Sequence, residues 1–430
     1  INSQSKIPMR ENIEKNPSCV DDYDRESITT EEAINIILSS ISPIKKTELV
    51  PIRESLNRVL AIDVKSTINV PSAKNSAMDG YAINSKNIPK KTKTLKVVGK
   101  SLAGKPCNTS IKDGQCVKIM TGAVVPDGAD TVVIQEHVET SKTQNEILID
   151  NEIKPGSNVR EAGEDIAKGA IAIKKGKNLT PADIGLLASL GIPKVEVYRK
   201  LKIAFFSTGD ELRSLGEKLN VGDVYDSNRY TLYTMLSNLN VEIFDMGVVK
   251  DDKESLTQAF NEAAGEVDML ITSGGVSVGE ADYIKDILEK YGNINFWKVA
   301  IKPGRPLTFG KIKSTLFFGL PGNPVSVMVT FYQFTQLAIK KFAGETSYLP
   351  IVLKAISTSS LRKKPGRVEY QRGIFEKDKN NNLTVRKTGP QGSGILRSMS
   401  EANCFIVLPI DSKEVNPGDS VDIQPFEGII

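Results

Sequence analysis

The chain has 430 residues, 40% apolar and 25% charged, an ordinary globular composition on a length too great for one compact core, so two to four domains are expected. Lysine and arginine number 56 against 52 acidic residues, and a net charge of +4 excludes strong non-specific binding to nucleic acid or an anionic membrane. Four scattered cysteines (Cys19, Cys107, Cys116, Cys404) without a CxxC pair indicate neither a zinc site nor a disulfide framework, and a single histidine (His137) excludes a histidine metal cluster.

Residues 1–26 are polar, lack the apolar stretch of a signal peptide and read as a poorly ordered extension. No run reaches 18 apolar residues, so no transmembrane helix is expected, and reduced thiols fit the cytoplasm. Thr29-Thr30-Glu31-Glu32 opens a capped helix ending near Ser42-Pro43. From 67 to 163 short β-like runs (TLKVVGKS, GQCVKIMTG, DTVVIQE, EILID) alternate with Gly, Pro and Asp turns and predict a β-rich domain. His137 falls there at an expected half-exposed strand position. Before it Asp79-Gly80 marks a turn within PSAKNSAMDGYAI, a segment that suits either a loop lying against another surface or a buried hairpin. TPADIGLLASLG predicts a second helix with Thr180 as N-cap and Pro181 in the first turn. Residues 27–66 and 164–199 together read as an α+β linker domain.

Between 200 and 345 the runs KIAFFSTG, EIFDMGVV, DMLITSGG and TLFFGLPG alternate with helical segments, which predicts βαβ units around a buried parallel sheet. After Gly344 short alternating segments predict a small closing β domain, 346–430. In an open parallel sheet ligands bind beyond the carboxyl ends of the strands, and four unusual motifs fall there: STGDEL, VVKDD, TSGGVSVGEADY and GLPGNPVS. The Gly-rich loop can form an anion nest. Pro321-Gly-Asn-Pro324 opens a helix whose free amides suit an oxyanion, although it also reads as a plain helix entrance. Lys298, Lys302 and Arg305 lie between these loops, and on one strand Lys298 and Lys302 would share a face. Glu211, Asp251 and Asp282 supply carboxylates suited to a hard ion such as Mg²⁺, with Asp251 equally placed to cap a helix. Cations for oxyanions beside carboxylates for a metal fit phosphoryl or nucleotidyl chemistry.

SAMDGYA, IMTGA, GEDI, STGDEL, DSNR, TSGGVSVGEADY, KPGRP and GLPGNPVS, in that order, resemble the molybdopterin molybdenumtransferases, the MoeA family to which the gephyrin E domain is related. The resemblance covers residues 27–427. It implies a multidomain α/β plus β fold: an elongated L-shaped subunit of four domains, with a MogA-like α/β domain and a C-terminal β-barrel, forming a homodimer. It implies insertion of molybdate into adenylylated molybdopterin with release of AMP, assisted by Mg²⁺ or another divalent cation. By motif match Asp79 and Thr121 would reach the site across the dimer, as would Arg160 and Asp165. Glu211, Asp251 and Asp282 would position substrate and metal, and Lys298 and Lys302 would hold anions. Ser277, Pro303, Ser326, Arg372 and Ser393 resemble positions that contact pterin or molybdate; Pro390 in TGPQGS departs from the usual polar residue. A molybdopterin adenylyltransferase would be a transient partner. The rival readings are an adenylyltransferase acting on molybdopterin and a gephyrin-like scaffold.

Overall fold

The computed structural model describes residues 27–87, 94–142, 145–149, 153–275 and 283–426, apart from the Trp297 side chain. The described chain opens with α1 (Thr30–Ser39). Thr29 accepts from the Glu32 amide and Glu32 reaches back to the Thr29 amide, the reciprocal cap predicted from the sequence.

The chain divides into two compact units, and the second comprises Leu49–Leu56 and Leu60–Val197. Its centre is a six-stranded sheet of β1 (Gly80–Ile83), β2 (Thr94–Ser101), β3 (Gln115–Ile119), β4 (Thr131–Ile134), β5 (Val138–Thr140) and β6 (Glu146–Ile149), in the order β4-β1-β3-β2-β6-β5. Strand alternation sends Tyr81, Ile83 and Val133 into one apolar layer and Ala82, Val117 and Val132 into another. The GYAI run is therefore a buried central strand, while Met78 just before it is 45% exposed. His137 is exposed and closes a 3₁₀ turn (Gln135–His137), not a strand, because the chain turns there from β4 into β5. The rest of this unit packs Val50, Leu60, Ile173 and Val197 around α2 (Pro181–Ser189), capped by Thr180 as predicted, with Asp183 completing a reciprocal cap.

The first unit holds residues to Glu48, Asn57–Val59 and everything from Tyr198. Residues 27–48 pack in this unit: the Lys341 ammonium donates to the Leu38 carbonyl, and the Ala300 amide donates to Ile28 O at 2.8 Å. Its sheet is built from β7 (Lys202–Thr208), β8 (Glu242–Val249), β9 (Met269–Ser273), β10 (Gly292–Lys298), β12 (Pro306–Ile312) and β13 (Thr315–Leu320), with β11 (Ile301–Lys302) lying outside it. The order is β8-β7-β9-β13-β12-β10. The first four strands are parallel and the last two antiparallel, so the predicted parallel sheet is in fact mixed. Strands β7, β9 and β13 are buried along almost their whole length, as strands covered on both faces must be. Helices α3 (Ser227–Ser237), α4 (Lys253–Ala263) and α5 (Tyr283–Tyr291) connect them, and Phe206, Phe260 and Phe317 meet in the core. The long last helical run is α6 (Pro324–Thr330), a π turn (Phe331–Thr335) and α7 (Gln336–Phe342).

Five strands then close a barrel: β14 (Leu353–Ser357), β15 (Val368–Lys377), β16 (Leu383–Lys387), β17 (Cys404–Leu408) and β18 (Ser420–Pro425), joined in the ring β15-β16-β14-β18-β17-β15. The segment after β10 does not continue the α/β sheet. Strand β11 leaves it and pairs with β15, Lys302 opposite Glu369. Tyr332, on the π turn, packs against Phe405 and Phe426, and Gln333 donates to Gln424 at 2.7 Å, seating the barrel on the α/β domain.

Candidate active site

The chain leaves β7 for β8 on one side and returns to β9 on the other. This switch point opens a crevice beyond the carboxyl ends of the strands. The crevice, ≈ 220 Å³, is bordered by Thr208, Glu211, Asn228, Asp251, Gly274 and Gly322, which come from all four strand-end motifs. Asn228 ties them together: its Nδ2 donates to Ser273 Oγ at 2.8 Å and to Gly322 O at 2.7 Å, and its Oδ1 is buried without a partner. Asp226 caps α3 through the Arg229 amide and accepts from the Ser207 hydroxyl on β7.

Glu211 and Asp251 face this crevice as expected, and Asp251 is not a cap, because Asp252 takes that role for α4. Burial, then the negative charges of Asp210, Glu211 and Asp252, raise the Asp251 carboxyl above the ordinary aspartate range. Converging hard oxygen donors under mutual repulsion fit a hard divalent cation. Among the described residues no group of three or more His, Cys, Asp or Glu side chains has ligating geometry. Asp282 and Ser277, which were expected here, lie outside the described residues.

A second cavity, ≈ 330 Å³, lies between the barrel and the α/β domain and gathers Lys302, Pro303, Pro321, Ser326, Arg372 and Ser393. These residues are separated by up to 91 positions along the chain, yet the pairing of β11 with β15 and the seat of the barrel bring them to one wall-to-wall space. Pro324 opens α6 beside it. The expected free amides at that entrance are reduced by one, since the Val325 N–H donates to Ser393 O at 3.0 Å. Arg372 is 1% exposed; its Nε donates to Ser398 Oγ and its Nη2 to Gly392 O, both at 3.1 Å. Burial lowers its pKa to about 10, partly countered by Glu369, so the guanidinium stays charged at neutral pH. Lys302 Nζ stands 3.2 Å from the buried Glu369 carboxylate. Lys298 is parted from Lys302: it ends β10 in the α/β sheet, half-buried and outside both cavity linings, so the two lysines do not share a strand face.

Asp79, Thr121, Arg160 and Asp165 belong to the second unit. Antiparallel pairing of β1 with β3 puts Asp79 and Thr121 at one sheet end, where the Thr121 amide (2.7 Å) and hydroxyl (2.8 Å) both donate to Asp79 Oδ1. Those bonds hold the Asp79 carboxyl below the usual range, and Oδ2 keeps no partner among the described residues. Arg160 pairs opposite Asn75 on the same approach to β1, exposed; Asp165 is exposed on a turn whose amide donates to Val70 O. Glu369, Gln391 and Asn228 line the cavities without having been singled out from the sequence. Asn228 had a signal, the DSNR motif; the others had none.

Residues 28–191 match the MoeA N-terminal region (domain I and II), 204–341 a probable molybdopterin binding domain, and 354–426 the MoeA C-terminal region (domain IV). The chain is 43% identical over 404 residues to the molybdopterin molybdenumtransferase of Haemophilus influenzae, covering 94% of this chain and 100% of that protein. It is 37% identical over 444 residues to gephyrin of Dictyostelium discoideum, covering 91% of this chain and 61% of gephyrin. The crystal structure of the molybdopterin biosynthesis protein MoeA from Pyrococcus horikoshii superposes with a TM-score of 0.80 at 30% identity, covering 93% of this chain and 100% of that one.

Proposed function

The chain belongs to the MoeA family of molybdopterin molybdenumtransferases and acts in molybdenum cofactor biosynthesis, and we propose that its two cavities divide the insertion of molybdate into adenylylated molybdopterin, with release of AMP, between them. The observation that carries this reading is that Lys302, Ser326, Arg372 and Ser393, from two different domains, line one cavity. A buried cation, a second cation and two serines suit a tetrahedral oxyanion, so molybdate sits there. The strand-end crevice takes the phosphoanhydride, whose oxygens meet the Gly-rich turn and the entrance to α6.

Glu211 and Asp251, with Asp282, would hold Mg²⁺, which when bound neutralises charge on the phosphate oxygens. The chain's own share is positioning. Asn228 fixes the crevice loops against one another, and Arg372 presents a charge whose orientation is fixed by its bonds to Ser398 and Gly392. No side chain need form a covalent bond with substrate.

The active unit in this proposal is a homodimer, in which Asp79, Thr121, Arg160 and Asp165 of one subunit complete the crevice of the other. Support comes from the uncommitted Asp79 Oδ2 and from the exposure of Arg160 and Asp165. A molybdopterin adenylyltransferase delivers the substrate in transient contact, and the reaction takes place in the cytoplasm. No helix among the described residues is long and apolar enough to cross a membrane.

The test is release of AMP from adenylylated molybdopterin, with and without molybdate and Mg²⁺, alongside transfer of the product to a molybdenum-free apoenzyme. Release that requires both additions and yields active apoenzyme supports the proposal. Release indifferent to molybdate, or ATP-dependent adenylylation of the pterin, would overturn it.

A further inference from the structure

Placing molybdate in the second cavity leaves one group there unexplained, a buried carboxylate in a space meant for an anion. Glu369 is 5% exposed and lines both this cavity and an adjoining basin of ≈ 520 Å³ that is also bordered by Arg362, Gln371 and Lys387. Its Oε1 accepts from Gln371 Nε2 at 3.1 Å and faces the Lys302 ammonium at 3.2 Å. Its Oε2 accepts no hydrogen bond from any described residue. The other charges around this cavity include Arg305 between β11 and β12, Arg372 on the same strand, Lys363 and Arg367 on the segment before it, and Asp411 beside Lys363.

A pocket of cations and hydroxyls tells molybdate from sulfate only by size, since both are tetrahedral dianions. They differ in basicity, because molybdate is the conjugate base of the weaker acid. A carboxylate oxygen without a donor repels a bare anion oxygen, but it accepts from an oxygen that carries a proton. Molybdate takes such a proton at lower cost than sulfate does.

Resting on the assignment of this cavity to molybdate, we propose that Glu369 is its specificity-determining residue, admitting molybdate with one shared proton and rejecting sulfate. One proton is drawn from solvent for each molybdate bound and lies between a molybdate oxygen and Oε2. No bond to molybdenum forms or breaks in this step, and nothing is oxidised or reduced. Rejection works through a repulsive element, the like-charge contact that sulfate leaves uncompensated.

The experiment is calorimetric titration of the full chain with sodium molybdate and with sodium sulfate, in buffers of different ionisation heat, which reports affinity and protons taken up together. The native chain is expected to take up close to one proton per molybdate and to bind sulfate about tenfold more weakly or worse. Glu369→Gln keeps the size of the side chain and a partner for Gln371. It is expected to lose the proton uptake and to lower the molybdate-to-sulfate ratio by on the order of tenfold. Glu369→Asp, which keeps the charge, should retain part of the discrimination. Molybdate binding without proton uptake in the native chain, or a ratio unchanged in Glu369→Gln, would overturn the assignment of Glu369 alone. Binding of neither anion by the native chain would remove the molybdate cavity as well. Proton uptake is measured on the native protein, so the proposal is decided even if Glu369→Gln fails to fold.

Discussion

Two glycines at the mouth of the strand-end crevice allow packing and binding to be separated. Gly274 has φ +90°, and a Cβ there would lie 2.2 Å from the carbonyl oxygen of Thr208 on the neighbouring strand. The left-handed backbone costs an L-residue about 1–2 kcal/mol. Overlap with a carbonyl at the end of a central strand, pinned where Ser207 pairs with Ser273, adds about 1–3 kcal/mol. Gly274→Ala is therefore expected to lose about 2–5 kcal/mol, a large part of the 5–15 kcal/mol typical of a folded domain. Gly322 lines the same crevice, but a Cβ there meets nothing nearer than Gly274 Cα at 3.8 Å, and its φ is not positive. Gly322→Ala should leave stability within about 0.5 kcal/mol while placing a methyl group where the anhydride enters. Urea denaturation followed by circular dichroism measures the first effect, and KM for adenylylated molybdopterin in AMP release measures the second. A Gly322→Ala protein less stable than Gly274→Ala, or one with unchanged KM, would refute the geometry.

Other outcomes follow from the same site. Asp251 binds its proton more tightly folded than unfolded. Its contribution to stability is thus greatest below the ordinary aspartate range and is lost as pH rises through the raised value; Asp251→Asn should flatten that part of the melting-temperature profile. At neutral pH Mg²⁺ should raise the melting temperature of the native chain and not of Asp251→Asn, and an equal rise in both would remove Asp251 from the metal site. Lys302→Ala, which also leaves Glu369 without its cation, should raise KM for molybdate several-fold more than KM for the pterin; equal changes would argue against its role. Asp79→Ala and Asp251→Ala, each inactive alone, should regain up to about a quarter of native AMP release when unfolded and refolded together, the fraction of intact sites that random pairing into shared-site dimers gives. A mixture as inactive as its parents would count against a shared site.

Local rules carried the sequence reading a long way. The caps at Thr29 and Thr180 are set by residues three positions apart, and the strands of the parallel core by continuous apolar runs, so both were legible. The antiparallel half of the sheet was not, because FWKVAIKPGRPLTFG has the same β-like composition whether it continues one strand or breaks into three. In the fold it breaks, and Lys298 and Lys302 part into different sheets. Glu369 and Gln371 alternate with Val368 and Tyr370, the pattern of a strand with one solvated face. They are buried where β11 adds beside β15 and Gln371 is tied to the Arg362 carbonyl, a tertiary event with no local signature.

The cover over β15 also bears on how the enzyme can bind an anion and still release it. A buried guanidinium such as Arg372 would by itself attract any oxyanion strongly, since little solvent screens it. Glu369, three positions earlier on the same strand and also buried, reduces that field and raises the Arg372 pKa that burial lowers. The cavity therefore keeps a fixed donor array, which gives orientation, at a reduced net charge, which limits affinity. If this cavity takes molybdate as proposed, handing it on to a dithiolene would need that combination, because binding equally strong before and after transfer would not drive the transfer. In the proposed reading the strand-end crevice would meet the opposite requirement, with carboxylates that repel phosphate until a divalent cation joins them, which would tie its affinity for the anhydride to the metal.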